Sequence, residues 1–259
     1  MKSPKSVIAA DYVSGTRFSE FADRLVYSYL SAPLAERVRA CGSPALDVAS
    51  GTGALGRRVD DVVAVDISHS QLVNNPLGRR VQADAERLPF TDGAFATTAS
   101  AFGINHFPDP VATVREMARV ARAVAVITWE RPEERPYAPK VAVLEVIEKH
   151  AGRARTEAGD LLDRMTEDVG SETALGRVFI AAGLDVETET VSVEVPWPGA
   201  EAFVDYRFSM SGLVARLDDA DSVRAEAVAA VERLSDRETR WRPRLVMGVG
   251  TRLPADGGG

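Results

Sequence analysis

The sequence predicts an α/β protein built on a doubly wound parallel sheet. Short runs of apolar residues lack polar alternation, as strands covered on both faces require. Helical segments alternate with those runs, which implies right-handed crossovers. The first run ends in a glycine-rich turn around Gly51 and Gly53.

Taken in chain order, Phe18, Phe21, Leu25 and Tyr29, then Leu34 and Val38, fall at helical spacing and predict helices between about 17 and 40. Pro33 belongs in the first turn of the second of these. Ala45 to Ala49 and Val62 to Val65 predict the first two strands, the second ending at Asp66. Arg80 to Ala83 and Ala94 to Ala101 predict the next two. Pro110 opens a helix to Val120 with Val111, Val114, Met117 and Ala118 on one face, and Val124 to Trp129 is a fifth strand. Pro132, Pro136 and Pro139 then mark a linker, with helices expected over Val141 to His150 and Glu157 to Asp163. Ser171 caps a helix that carries Leu175, Val178, Phe179 and Ala182 and closes at Gly183. Leu184 to Val195 alternates like a strand, a helical stretch runs to about Asp236, and Arg244 to Val249 is a last strand. Pro254 to Gly259 reads as a disordered tail.

A chain of 259 residues suits one large domain, or a domain with a cap. A formal net charge of -7 argues against a general nucleic-acid binder, which needs basic surface. The single Cys41 excludes an internal disulfide and a cysteine-based metal centre, and His69, His106 and His150 make no zinc pattern. No metal is expected. The apolar patch from Ser6 to Ala10 is too short for a signal-peptide core, and no stretch approaches a transmembrane length. The expectation is a cytoplasmic protein with neither membrane nor nucleic acid as partner, acting as a monomer or homodimer. Frequent Arg and Ala suggest a high-GC bacterium, where secondary metabolism is a natural setting.

The chemistry concentrates in Leu46 to Gly56, where a strand enters, glycines turn and a helix is expected to leave. Gly51 and Gly53 permit unusual backbone angles and a close approach of ligand to main chain. Gly51, Gly53 and Gly56 also fit the dinucleotide fingerprint, a weak signal alone. Asp47 beside the loop disfavours a pyrophosphate and suits a cationic amino-acid moiety. Asp66 follows Gly51 sooner than the roughly 20 residues of a dinucleotide fold. Each hydrogen bond that a carboxylate accepts from a ribose hydroxyl is worth about 1.5–3 kcal/mol. A helix cap or a solvated turn is the other role open to Asp47 and Asp66.

Leu46-Asp47-Val48-Ala49-Ser50-Gly51-Thr52-Gly53 resembles motif I of the class I S-adenosylmethionine-dependent methyltransferases. Val62 to Ser68 is similar to their second motif, and Ala83 to Phe90 to the segment that recognises adenine. Phe102 to Pro110 resembles the loop after strand four in the ubiquinone/menaquinone-biosynthesis-like branch. Ala49 departs from the glycine common there, and the span from Ser68 to Arg80 leaves room for only a small helix.

The resemblance implies a Rossmann-like, seven-stranded, mostly parallel sheet with helices on both faces, strand seven antiparallel between strands five and six. It divides a single domain (1–253) into an N-terminal helical cap (about 1–40), a cofactor core (45–130) and a substrate cap with the last strands (131–253). The implied cofactor is S-adenosylmethionine, leaving as S-adenosylhomocysteine. By position, Asp47, Ala49, Ser50, Gly51 and Gly53 would surround its methionine moiety. Asp66 and Ile67 would hold the ribose, Asp84 and Ala85 the adenine, and Ser100, Ala101 and Phe102 would close the pocket at the sulfonium. Ser100 to Phe102 equally fit plain strand packing, and Asp84 a surface turn.

His106 is the candidate general base, because it follows strand four at the carboxyl-end crevice and ordinarily titrates near 6.5. Packing within its loop is the alternative. Asn105 fits either substrate orientation or a turn. The aromatic and Met set of Tyr12, Phe18, Tyr27, Tyr29, Tyr137, Met165, Trp197, Phe203, Tyr206, Phe208 and Met210 suggests an apolar acceptor site among core positions. Tyr12, Tyr206 and Met210 are the candidate lining residues. The expected activity is methyl transfer to a small-molecule O, N or C acceptor. A cyclase or eliminase using the cofactor's positive charge, a non-catalytic cofactor-binding partner and, more distantly, a nicotinamide oxidoreductase are the rivals.

Overall fold

The computed structural model describes residues 19–131, 136–152 and 157–252. Tyr12, Phe18, Pro132 and the tail expected at 254–259 lie outside the described residues.

Seven strands form one sheet: β1 (Ala45–Val48), β2 (Val62–Asp66), β3 (Arg80–Gln82), β4 (Phe95–Ala101), β5 (Ala121–Trp129), β6 (Leu184–Ser192) and β7 (Arg244–Arg252). Their order is β3-β2-β1-β4-β5-β7-β6. The pairs among β1 to β5 are parallel, and β7 runs antiparallel to both β5 and β6. The order reverses at β1, whose neighbours are β2 and β4, and a crevice opens at the carboxyl edge of such a switch point.

Helix α1 (Ser19–Tyr27) is wide, of π type, and leads through a turn into α2 (Ala32–Cys41), with Pro33 in its first turn. The others are α3 (His69–Val73), α4 (Pro110–Val120), α5 (Ala138–Ala151), α6 (Glu157–Glu167), α7 (Glu172–Ala181), α8 (Ala200–Met210), α9 (Ala220–Glu232) and α10 (Asp236–Thr239). One face of the sheet carries α4 and α7, with Val114, Met117, Leu175 and Phe179 packed on Val48, Val124 and Val126. The other carries α1, α2, α5, α8 and α9, with Val26, Leu34, Val38, Ile147, Val204 and Ala227 buried around Ile127 and Met247.

Side chains fix the helix starts. Asp109 accepts from the Ala112 N–H at 2.8 Å and Ser171 from the Ala174 N–H at 3.1 Å. The expected fifth strand starts earlier than Val124, because Ala121 is already extended (φ -141°) and α4 passes into β5 with no loop.

One expectation fails locally. No α-helix leaves the glycine loop; turns and a single 3-10 turn, Gly56–Arg58, replace it. Residues 49–61 must return the chain from the end of β1 to the start of β2 at Val62, and the loop itself consumes much of that length. No helix leaving the loop therefore presents its N-terminus to it.

Candidate functional site

The site is built at the end of β1. Gly51 and Gly53 take positive φ (50° and 88°), as the turn requires, and Ala49 is forced into the same region at 55°. That conformation costs a non-glycine residue about 1–2 kcal/mol. Phe102, just past β4, shares it at 59°. The two strained positions lie at the ends of neighbouring strands, and Gly103 lets them approach. A Cβ on Gly103 would stand 2.8 Å from the Ala49 Cβ and closer still to Ser100 Oγ.

Asp66 fastens the loop from the end of β2. Its Oδ2 accepts from the Gly51 N–H and its Oδ1 from the Ser68 N–H, both at 2.8 Å. Burial pushes its carboxyl above the usual range, and the N–H groups of Ser68 and Gly51 oppose that. Asn75, 1% exposed, braces the loop from the other side, donating to the Gly51 carbonyl at 3.0 Å. Further along, Asp84 accepts from the Glu86 N–H at 3.0 Å. Arg119 holds the rest of that segment by donating to the Leu88 and Phe90 carbonyls at 3.0 and 2.9 Å.

These segments border one cleft of about 190 Å³ at the carboxyl edge of the sheet. Along it the structure brings together Ala49, Ser50, Gly51, Asp66, Ile67, Asp84, Ala85, Ala101, Phe102 and His106. Asp47, Gly53 and Ser100 do not line it. Gly53 faces Asn75, and Ser100 is fully buried under Gly103. Asp47 lies behind the loop, with Oδ2 3.3 Å from where a Gly56 Cβ would stand. Burial first, then the nearby Asp66 charge, push the Asp47 carboxyl up to about 8. Asp47 therefore keeps its proton to higher pH than an ordinary carboxyl, and its side chain does not border the cleft.

This has a consequence for stability. Unfolded, Asp47 releases its proton near 3.9; folded, it keeps it to about 8. Between those values the folded chain binds more protons, so stability falls as pH rises, by up to about 1.4 kcal/mol per pH unit. Asp47→Asn is expected to flatten this slope, raising the melting temperature at pH 8 relative to wild type and closing the gap near pH 4. Parallel slopes in a series of thermal melts would refute the assignment.

Of the candidate acceptor residues, Tyr206 is buried against Phe203 at 5.9 Å and borders a separate 10 Å³ cavity with Tyr137 and Trp197. Met210 is half-buried at the end of α8 and does not line the cleft. Of the described members of that aromatic set, Tyr27 on α1 reaches the cleft, edge-on to Phe102 at 5.2 Å, with Trp129 behind Phe102 at 4.9 Å.

His106 stands on the 3-10 turn Ile104–His106, its N–H bonded to the Gly103 carbonyl at 2.9 Å. Burial pushes its imidazole down to about 4, below the ordinary value expected from sequence. Asn105 is buried beside it, its amide nitrogen 3.4 Å from both His106 Nε2 and Thr166 Oγ1 of α6.

Sequence reasoning did not single out Asp23, Thr52 or Gln71, all of which line the cleft. Gln71 is 4% exposed, and neither its amide nitrogen nor its amide oxygen has a hydrogen-bond partner. Each such group costs about 1–3 kcal/mol until a ligand satisfies it. A ligand carrying both donors and acceptors, such as a ribose, suits that demand. Its position was legible in part: Ser68 caps α3, and a glutamine three residues on lies within the first turn, beside the end of β2.

Residues 46–127 match the methyltransferase domain family. The chain is 38% identical over 111 residues to a ubiquinone/menaquinone biosynthesis C-methyltransferase of Hahella chejuensis, covering 35% of this chain and 45% of that protein. It thus spans less than half the length of that relative. Among solved structures it is similar to Haemonchus contortus phosphoethanolamine N-methyltransferase 2 in complex with phosphomonomethylethanolamine and S-adenosylhomocysteine (TM-score 0.57, 12% identity, 98% of this chain and 61% of that one). It is also similar to the 4+2 cyclase SpnF (TM-score 0.50, 18% identity, 88% of this chain and 82% of that one). At these identities the structural likeness shows the fold alone.

Proposed function

Because this chain belongs to the class I S-adenosylmethionine-dependent methyltransferases, with the methyltransferase domain over residues 46–127, we propose that it transfers a methyl group from S-adenosylmethionine to a small-molecule acceptor. One observation carries the reading: the glycine loop, the carboxylate ending β2 and the Asp84 segment, far apart in sequence, border one cleft at the switch point. The unpartnered Gln71 amide within that cleft supports a polar ligand there.

When bound, S-adenosylmethionine supplies an electrophilic methyl on a positively charged sulfur. The chain's own residues do the rest. Ala49 to Gly51 present backbone at close range, and Asp66 holds both the loop and, in this reading, the ribose hydroxyls. Asp84 and Ala85 border the adenine end, with Ile67 alongside. Ala101 and Phe102, backed by Tyr27 and Trp129, exclude water near the reacting centre, and positioning of this kind supplies much of the rate.

Among the described residues, Asp23, Asp66, Asp84 and Glu86 line the cleft together with His106, and neither lysine nor arginine does. This balance supports a neutral or cationic acceptor over a phosphorylated one. The setting remains, in our reading, a bacterial secondary-metabolite pathway. No helix among the described residues is long and apolar enough to cross a membrane.

His106 enters as a neutral imidazole that accepts the acceptor's proton. With its titration near 4, activity is expected to show no inflection between pH 6 and 7. His106→Ala is expected to lower kcat roughly 100-fold while leaving cofactor affinity within about threefold. A pH–rate limb near 6.5, or an unchanged kcat, would remove His106 from this role.

The reading is tested by calorimetric titration with S-adenosylmethionine, S-adenosylhomocysteine and NADH, then by acceptor screening with product mass. Micromolar binding of the sulfur nucleotides alone, and products heavier by one CH₂, are expected. Products of unchanged mass would mean cofactor-assisted ring closure instead, and products lighter by the expelled group would mean elimination. Binding without any product would mean a cofactor-binding partner.

A further inference from the structure

Asp23 sits on α1, 1% exposed, yet lines the cleft. Its Oδ2 accepts from Thr52 Oγ1 at 2.8 Å and from Arg57 Nη2. Arg57 also donates to the Thr52 carbonyl at 2.8 Å, so carboxylate, hydroxyl and guanidinium tie α1 to the glycine loop. The second oxygen of Asp23, Oδ1, is buried and has no hydrogen-bond partner. Tyr27, one turn later on the same helix, lines the same cleft.

A buried carboxylate oxygen left open at a ligand cleft calls for a donor, and a cationic donor satisfies it best. The cofactor offers three kinds of donor: ribose hydroxyls, the adenine amino group and the α-ammonium. The hydroxyls belong beside Asp66 and the adenine beside the Asp84 segment. Asp47, the loop acid expected at the methionine end, is shut behind the loop. We infer that Asp23 binds the α-ammonium of the cofactor's methionine moiety, so that a carboxylate of α1, already tied to the glycine loop, takes the place of Asp47. This rests on the S-adenosylmethionine reading above.

The test compares S-adenosylhomocysteine with 5′-methylthioadenosine, which keeps adenine, ribose and thioether but lacks the amino acid. By calorimetry, Asp23→Asn is expected to weaken S-adenosylhomocysteine at least tenfold and leave methylthioadenosine within twofold. Equal losses for both ligands would make Asp23 a purely structural latch, and no loss for either would leave it without a role; each overturns the inference. Wild type binding neither ligand would instead overturn the cofactor reading itself. Should Asp23→Asn fail to fold, carboxyl ¹³C NMR of the wild-type protein decides. The Asp23 resonance is expected to move with S-adenosylhomocysteine and to stay with methylthioadenosine. A resonance that ignores both ligands, or answers both alike, overturns the assignment.

Discussion

Asp66→Asn is expected to weaken S-adenosylhomocysteine binding at least 100-fold while the protein stays folded. Both carboxylate oxygens already accept a backbone N–H, from Gly51 and Ser68. An asparagine of the same shape must turn its NH₂ toward one of those donors, so one bond becomes a donor–donor contact. The loop loses its fastening to β2, and the ribose loses a charged acceptor. Hydrogen bonds to charged groups are worth about 1.5–3 kcal/mol each, and two of them more than account for a 100-fold change. Calorimetric titration reads the effect directly. Affinity within fivefold of wild type would mean that Asp66 only braces the loop and that the ligand lies elsewhere.

Gly103→Ala is expected to lower the melting temperature by roughly 5–10 °C and to abolish measurable cofactor binding. The added Cβ would stand 2.8 Å from the Ala49 Cβ, an atom fixed by the backbone with no rotamer to escape into. The ends of β1 and β4 must part, and both line the cleft. Ala49→Gly removes the atom that is struck and also relieves a positive φ of 55°. The double variant Ala49→Gly/Gly103→Ala should therefore recover more than half of the lost stability, leaving the Ser100 hydroxyl to rotate aside. Differential scanning calorimetry of the four proteins closes the cycle. A Gly103→Ala protein that melts with wild type, or a double variant that melts with the single, would contradict this packing account.

Much of the site was legible because its segments are local. Strand, turn and acid sit within a few residues of each other at Asp47 to Gly53 and again at Val62 to Asp66. Parallel strands of a switch-point fold carry their carboxyl ends to one edge. Ala49, Ser50, Gly51, Asp66, Ile67, Asp84, Ala85, Ala101, Phe102 and His106 could therefore be named before any coordinates. Their geometry places them on a single cleft; their roles remain the proposal set out above. Asp23 carried no comparable signal. An acid within an amphipathic helix is ordinarily solvated, and only the docking of α1 on the loop reveals its burial beside Thr52 and Arg57. Tyr206 and Met210 illustrate the converse. Helical spacing marks an aromatic as inward-facing, but not whether inward means cleft or core.

The sequence by itself determined the strand-helix alternation, the glycine turn and the acids near the ends of β1 and β2, Asp47 and Asp66, because periodicity and turn chemistry are properties of neighbouring residues. The tertiary structure alone decided which acid borders the cleft. Asp47 lies one residue inside the end of β1, in register with Ala64, whereas Asp66 is the last residue of β2. The chain after Asp47 folds back through a short 3-10 turn and closes over it, whereas the chain after Asp66 turns outward into α3. Burial raises both carboxyls, that of Asp47 to about 8, while N–H groups of Ser68 and Gly51 oppose the shift at Asp66 and bond it to the loop that borders the cleft.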